Sequence, residues 1–181
     1  METKILTKSG KSLWIREPRR GDAEQMLNLI NEMVDEDEMI MCNQKQTPEK
    51  EKKYLNQLLK DIATHQVVTL LAFDGPKLVA ACDIKKGRYR SNHVGLFGII
   101  ISHKYRRDGL GRVLSQQVID LSKTRLKLSL IELHVFNLNH AAKALYESLG
   151  FVPCGSLPDS IQYQNQLISQ THMYKRLVDK H

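Results

Sequence analysis

The stretch Gly98-Ile99-Ile100-Ile101-Ser102-His103-Lys104-Tyr105-Arg106-Arg107-Asp108-Gly109-Leu110-Gly111-Arg112 decides how the rest of the chain is read. An apolar run of strand length enters a basic turn holding two glycines, and an amphipathic segment follows. Glycine lets the backbone turn tightly and come close to a ligand. Unpaired N–H groups at a helix start point outward and favour negative charge. Arg106, Arg107 and Arg112 add cationic donors, so the turn suits a pyrophosphate. No Gly-Lys-Ser/Thr follows, so it is not a P-loop. It carries two glycines where a dinucleotide fingerprint needs three, and no acidic residue closes a following strand. An ordinary basic strand–helix turn is the alternative that these residues alone leave open.

The flanking sequence sets this turn in a regular alternation. Val94 to Ile101 reads as a strand, and Gly109 to Leu126 as a helix with Val113, Leu114, Val118, Ile119 and Leu121 inward. Leu130 to Phe136 is the next strand, and His140 to Leu149 a short helix stopped by Gly150. Upstream, Leu13 to Ile15 is an early strand that Ser9-Gly10 turns back on Lys4 to Thr7. Asp22 with Gln25 has the pattern of a capping box, opening a helix whose apolar face is Met26, Leu27, Ile30, Met33 and Val34. The acidic run after Val34 opposes the helix dipole and ends it. Thr47-Pro48-Glu49 opens a second helix with a buried stripe of Tyr54, Leu55, Leu58, Leu59 and Ile62. Val67 to Phe73 and Leu78 to Ile84 form a hairpin around Asp74-Gly75-Pro76. Phe151-Val152 and Leu167 to Leu177 supply the last strands around a turn-rich segment. The order β-β-α-α-β-β-β-α-β-α-β-β, without repeat or linker, predicts a single domain over 1–181.

A second segment, Leu133-His134-Val135-Phe136-Asn137-Leu138-Asn139-His140-Ala141-Ala142-Lys143-Ala144-Leu145-Tyr146-Glu147-Ser148-Leu149-Gly150-Phe151-Val152, is a strand, an asparagine-bearing loop, a short helix and Gly-Phe. Together the two segments resemble the GNAT superfamily of acyl-CoA-dependent N-acetyltransferases. Arg106, Gly109 and Gly111 match its Arg/Gln-x-x-Gly-x-Gly/Ala. Asn139, Ala142, Leu145, Tyr146, Gly150 and Phe151 match its later Asn-x-x-Ala-x-x-Leu-Tyr-x-x-x-Gly-Phe. The tail, Gly155 to Leu177, loosely resembles the branch containing ribosomal-protein and small-amine acetyltransferases.

The resemblance implies an α+β (mixed α/β) fold: a mixed, mostly antiparallel central sheet with splayed middle strands, flanked by about four helices. It implies acetyl-CoA as cofactor. The pantetheine arm would lie between Val94–Ile101 and Leu130–Phe136, bonding the backbone of the Ile99-Ile100-Ile101 run at Ile99 and Ile101. The pyrophosphate would lie on Arg106, Arg107, Asp108, Gly109, Leu110, Gly111 and Arg112, with Asn139 on the cofactor arm. A splayed strand carries unpaired backbone groups that need a partner, and amides of a ligand can supply it.

The implied reaction is direct attack of a primary amine, from a small molecule, a polyamine or a protein N-terminus, on the thioester in a ternary complex. The amine must lose a proton, since an alkyl ammonium has a pKa near ~10. Tyr146 matches the family's general acid for the leaving thiolate. Many relatives place a basic Glu where this chain has Leu96. The substitutes are His93, His134, Glu132 and Asp83, with a relay through water and a backbone carbonyl as the other route. The gap at Leu96 also motivates a catalytically weak or silent acyl-CoA-binding regulatory domain.

Composition agrees with a folded, soluble domain. Of 181 residues, 41% are hydrophobic and 26% charged, which excludes disorder and collagen-like repeats. No apolar run reaches the ~18–20 residues of a membrane span, and Met1 to Lys11 lacks a signal-peptide core. Cys42, Cys82 and Cys154 are odd in number and far apart, so a reducing cytoplasm is the expected setting. No spacing of His and Cys predicts a metal site. The net charge of +7 is unevenly spread. Residues 104–127 carry seven bases against two acids, whereas Glu32, Asp35, Glu36, Asp37 and Glu38 form a purely acidic block. Asp35 to Glu38 is therefore expected to draw in a cationic amine. A basic nucleic-acid-binding module, built on Lys85–Arg90 and Lys104–Arg112, is the more remote alternative, because it lacks aromatic or paired-helix readers. Oligomeric state is left open, a homodimer among the options.

Overall fold

The structure, a computed structural model, describes residues 2–177; the expected bounds 1–181 run past these at both ends. Its elements, in chain order, are β1 (Glu2–Leu6), β2 (Ser12–Arg16), α1 (Ala23–Asp35), α2 (Pro48–Ala63), β3 (Val67–Asp74), β4 (Lys77–Lys86), β5 (Val94–Ile101), α3 (Leu110–Arg125), β6 (Leu130–Phe136), α4 (His140–Ser148), β7 (Val152–Tyr163) and β8 (Gln166–Arg176). The eight strands form one sheet in the order β1-β2-β3-β4-β5-β6-β8-β7. Every neighbouring pair is antiparallel except β5–β6, which is parallel.

The two faces of the sheet are covered differently. Leu110, Leu114, Val118 and Ile119 of α3, Tyr146 of α4 and Leu149 just after it pack with Cys82, Ile84, Phe97, Ile131, Leu133 and Val135 on one face. Met26, Leu29 and Met33 of α1 and Leu55 and Leu58 of α2 pack with Val67, Leu71, Phe73 and Leu78 on the other. Among the described residues, no helix contributes to the apolar cluster over β6, β8 and β7 on this second face. A small cluster of Phe136, Ile161 and Ile168 closes part of it, with Met39 of the α1–α2 loop against it.

Several expectations change in detail. Asp22 does not cap α1 with its side chain. Its carboxylate takes a bidentate hydrogen bond from the Arg16 guanidinium, at 2.7 Å each, and a third from the Arg19 N–H. A buried ion pair outcompetes the capping box there. Leu29 joins Met26 and Met33 in the buried face of α1, while Leu27, Ile30 and Val34 are half-buried. Tyr54 and Val113 are exposed at the margins of their stripes, at 53% and 38%. The segment read as turn-rich before Leu167 is the long strand β7, whose register shifts at Pro153/Gly155 and Leu157/Ile161 interrupt the period-2 pattern. No described helix is long and apolar enough to cross a membrane.

Candidate active site

The central feature is where β5 and β6 part. They pair as Val94↔Leu130, Gly95↔Ile131 and Leu96↔Glu132, and then no further. On its other side β5 stays paired with β4 through Ile101↔Ala80. The Ser102 N–H donates to the Val79 carbonyl, so Ser102, Ile100 and Gly98 aim their polar groups at β4. By alternation, Ile99 and Ile101 aim theirs into the gap. The Ile101 carbonyl there accepts from Arg106 Nε at 2.8 Å, while the Ile99 groups have no strand opposite them.

At the upper end of the gap the chain turns into α3. Gly109 has φ +85°, a left-handed conformation that a side chain disfavours. Gly111 is needed for a different reason. A Cβ there would lie 3.0 Å from Ile101 Cδ1 and 3.2 Å from Leu145 Cδ2, so the helix start can nest between β5 and α4 only without one. None of the N–H groups of Arg107 to Arg112 donates to a described protein acceptor. The turn is braced from the β1–β2 loop. Lys8 N–H donates to the Asp108 carbonyl, and Ser9 donates through N–H and hydroxyl to the Asp108 carboxylate. Hydrogen bonds from Ser9 and Thr7 hold the Asp108 carboxyl below its usual range.

The expected roles redistribute over this turn. Arg107 and Arg112 are exposed and form no described ion pair. The Arg106 guanidinium, expected on pyrophosphate, instead pairs with Glu38 and the Ile101 carbonyl. Asp108 spends its carboxylate on the β1–β2 loop. Lys8 adds a cation the sequence did not flag, its stem lying 3.5 Å from where a Gly109 Cβ would be. Asn139 caps α4, its Oδ1 accepting from Ala142 N–H at 3.0 Å, which leaves its amide NH2 to donate. A free strand edge leading to unpaired amides and two free guanidiniums fits an extended, amide-bearing molecule that ends in a diphosphate.

Tyr146 lies beneath the point of parting. Its ring meets Phe97, the first residue of β5 past the last pair, edge-on at 5.7 Å. The side chain is buried and its hydroxyl makes no described hydrogen bond. Burial pushes the phenol well above its ordinary range, so it holds its proton.

The open face above the gap gathers three of the four candidate bases. Alternation puts Lys85 and Asp83 of β4, Leu96 and Gly98 of β5, and Glu132 and His134 of β6 on the face that α1 and α2 share. Glu132 is the direct partner of Leu96, so a carboxylate stands one strand away from the position where Leu96 lacks one. Asp83 is one row nearer the gap, between Thr69 and Gly98. Its carboxyl accepts no described hydrogen bond or ion pair. Burial pushes it up to about 7, against the pull of Lys85. Gly98 leaves it room, since a Cβ there would come within 3.3 Å of Asp83 Oδ1. His134 stands across the gap in the same row, stacked at 4.0 Å on His172 of β8. Burial and the His172 charge hold His134 below its usual range, and the His172 Nε2 is buried without a partner. His93 lies outside this face, in the loop before β5, where its carbonyl accepts from Ser129 and Leu130.

The acidic run is not a free field of charge. Asp35 pairs with Lys45 at 2.7 Å, and Glu38 with Arg106. Asp37 accepts from Gln164 through its carboxylate and from the Tyr163 hydroxyl through its carbonyl. Only Glu36 among the four has no described partner. The run is a strap that ties the α1–α2 loop to the cofactor turn on one side and to the β7–β8 hairpin on the other. Among the described residues, Glu36, Glu38 and His103 bring ligand atoms within 4.8 Å of one another, but Glu38 is already committed to Arg106.

Comparison with known proteins agrees with this geometry. Residues 30–151 match the family described as Acetyltransferase (GNAT) family. A 56-residue segment is 46% identical to the [ribosomal protein bS18]-alanine N-acetyltransferase of Escherichia coli K12; it is 31% of this chain and spans 37% of that relative's length. The structure superposes on the GNAT-family acetyltransferase of Streptococcus pneumoniae with a TM-score of 0.82 and 28% identity, over 91% of this chain and 99% of the other. A Salmonella typhimurium protein solved with its cofactor acetyl-CoA gives a TM-score of 0.80 at 18% identity, over 93% and 95% of the two chains.

Proposed function

Since the chain belongs to the GNAT acetyltransferase family, we propose that it transfers an acetyl group from acetyl-CoA to the primary amine of a small molecule or a protein N-terminus, by direct attack in a ternary complex. The observation that carries this reading is the parting of β5 and β6 beside a helix start with unpaired amides.

Acetyl-CoA, when bound, supplies an activated acyl carbon at a thioester. The chain's own groups do the rest. The Ile99 carbonyl would accept from a pantetheine amide. The N–H groups from Arg107 to Arg112, with Arg107, Arg112 and Lys8, hold the diphosphate. The Ile99 N–H also offers a donor for the acyl oxygen as it gains charge, the preorganised arrangement that lowers such barriers most. Asp83 takes the proton of the ammonium; a base near pKa 7 is well matched to neutral pH. Tyr146 would give its proton to the departing sulfur and be reprotonated by the second proton that the nitrogen sheds as the amide forms. Asp83 thereby fills the vacancy that Leu96 creates, and the silent regulatory reading loses its motive. The names of the relatives support a protein N-terminus as one acceptor. The three free cysteines favour a reducing, cytoplasmic setting.

The test is release of free thiol from acetyl-CoA with a panel of primary amines, beside calorimetry with coenzyme A. Amine-dependent thiol release supports transfer. Heat of binding without thiol release would reduce the protein to a cofactor-binding domain, and the absence of both signals would overturn the reading.

A further inference from the structure

The open face continues past the proposed base into a groove of about 420 Å³ at the closed end of the strand pair. Its floor is Leu96, and its walls include Lys85, Lys86, Arg88, Ser91 and Glu132. By the same alternation Lys86, paired with Gly95, turns its side chain to the opposite face, so the cations on this side are Lys85 and Arg88, against one carboxylate. Neither makes an ion pair or side-chain hydrogen bond among the described residues, although ion pairs occur elsewhere on this surface. The groove is contiguous with the row that holds Asp83. Lys85 is two residues along β4 from Asp83, and Leu96 two along β5 from Gly98, which is a rise of ~7 Å. A molecule whose nitrogen sits over Gly98 therefore projects its other end toward Lys85 and Arg88.

We propose that the acceptor is an amine carrying an anionic group, a carboxylate or a phosphate, about 7 Å from the reacting nitrogen, and that Lys85 and Arg88 recognise that group. This rests on the acetyl-transfer reading and assigns its substrate class. It reverses the expectation from the acidic run, whose charges are mostly spent within the strap while these cations stand free. An ω-amino acid meets the requirement, and so does a peptide N-terminus followed closely by an acidic residue. The apolar floor at Leu96 suits the methylenes or backbone that join the two groups.

The experiment compares kcat/KM for acetyl transfer to glycine, γ-aminobutyrate, 5-aminovalerate, pentylamine, putrescine and phosphoethanolamine, with a peptide beginning Ala-Asp as the macromolecular arm. The expected result is at least a tenfold advantage of 5-aminovalerate over pentylamine, with putrescine worst and glycine too short. Arg88→Gln should cut that ratio severalfold; Lys85 is left alone because its charge acts on Asp83. Preference for the peptide over the free amino acids identifies the source of the anion without changing its chemistry. A ratio near one, or a preference for putrescine, overturns the proposal. If no amine releases thiol, the transfer reading fails separately. Calorimetry of 5-aminovalerate against pentylamine on the coenzyme A complex then decides the groove: tighter binding of the amino acid upholds it, equal binding refutes it.

Discussion

The cofactor turn and the proposed acceptor face share strand β5, yet they are built by opposite means. The turn from Ser102 to Arg112 is made of backbone: a left-handed glycine, a close-packed glycine and a row of unpaired N–H groups. The acceptor face is made of side chains drawn from β4, β5, β6 and β8, brought level by pairing register rather than by proximity in the chain. A backbone cradle needs few residue identities and tolerates variation in the others. A side-chain face is changed by one substitution, which makes it the part that sets chemistry and specificity.

Replacing the proposed base should separate the two halves most sharply. Asp83→Asn is expected to lower kcat by about 10²–10⁴-fold while coenzyme A binding by calorimetry stays within about twofold. The wild-type rate should rise with pH and level off above about 7, and the variant should lose that limb. Stability should move the other way. The folded carboxyl is raised from 3.8 to about 7, so the native state keeps a proton that the unfolded chain releases, and wild-type stability falls as pH rises through that window. Asparagine does not titrate, so the Tm advantage of Asp83→Asn should be larger at pH 8 than at pH 4.

Tyr146→Phe comes next. It keeps the ring packed on Phe97 and removes the hydroxyl, so kcat should fall by about 10²-fold with Tm little changed. Unchanged turnover would make Tyr146 a packing residue only. On the cofactor side, Gly111→Val forces atoms against Ile101 and Leu145. It should cost about 1–3 kcal/mol in stability by denaturant titration and weaken coenzyme A binding. The strap gives the smallest effect. Glu38→Gln frees Arg106 from its partner and should raise the acceptor KM about fivefold, equivalent to about 1 kcal/mol, with less change in the acetyl-CoA KM.

This difference in construction also explains what could be read from the chain. The order of elements, the exact span of β5 and β6 and the helix-entry turn were legible because each depends on local periodicity and glycine placement. Tyr146 and Asn139 were legible as part of a short motif. The choice among Asp83, Glu132, His134 and His93 was not. What distinguishes Asp83 is a missing side chain at Gly98, 15 positions away in the chain, and the absence of a hydrogen-bond partner. His172 was invisible because its neighbour His134 lies across a strand pair. The pairing of Arg106 with Glu38 was not legible because Glu38 sits in the α1–α2 loop, and the acidic run looked free for the same reason.

The account turns on the free edge of β5, and residue-resolved amide exchange measures it directly. Coenzyme A should slow exchange at Ile99 and across Arg107 to Arg112, while Gly98 and Ile100, already bonded to β4, should be protected with and without it. If the Ile99 amide is equally protected before coenzyme A is added, or stays unprotected at saturation, the strands do not open to hold the cofactor and the proposed mechanism is wrong.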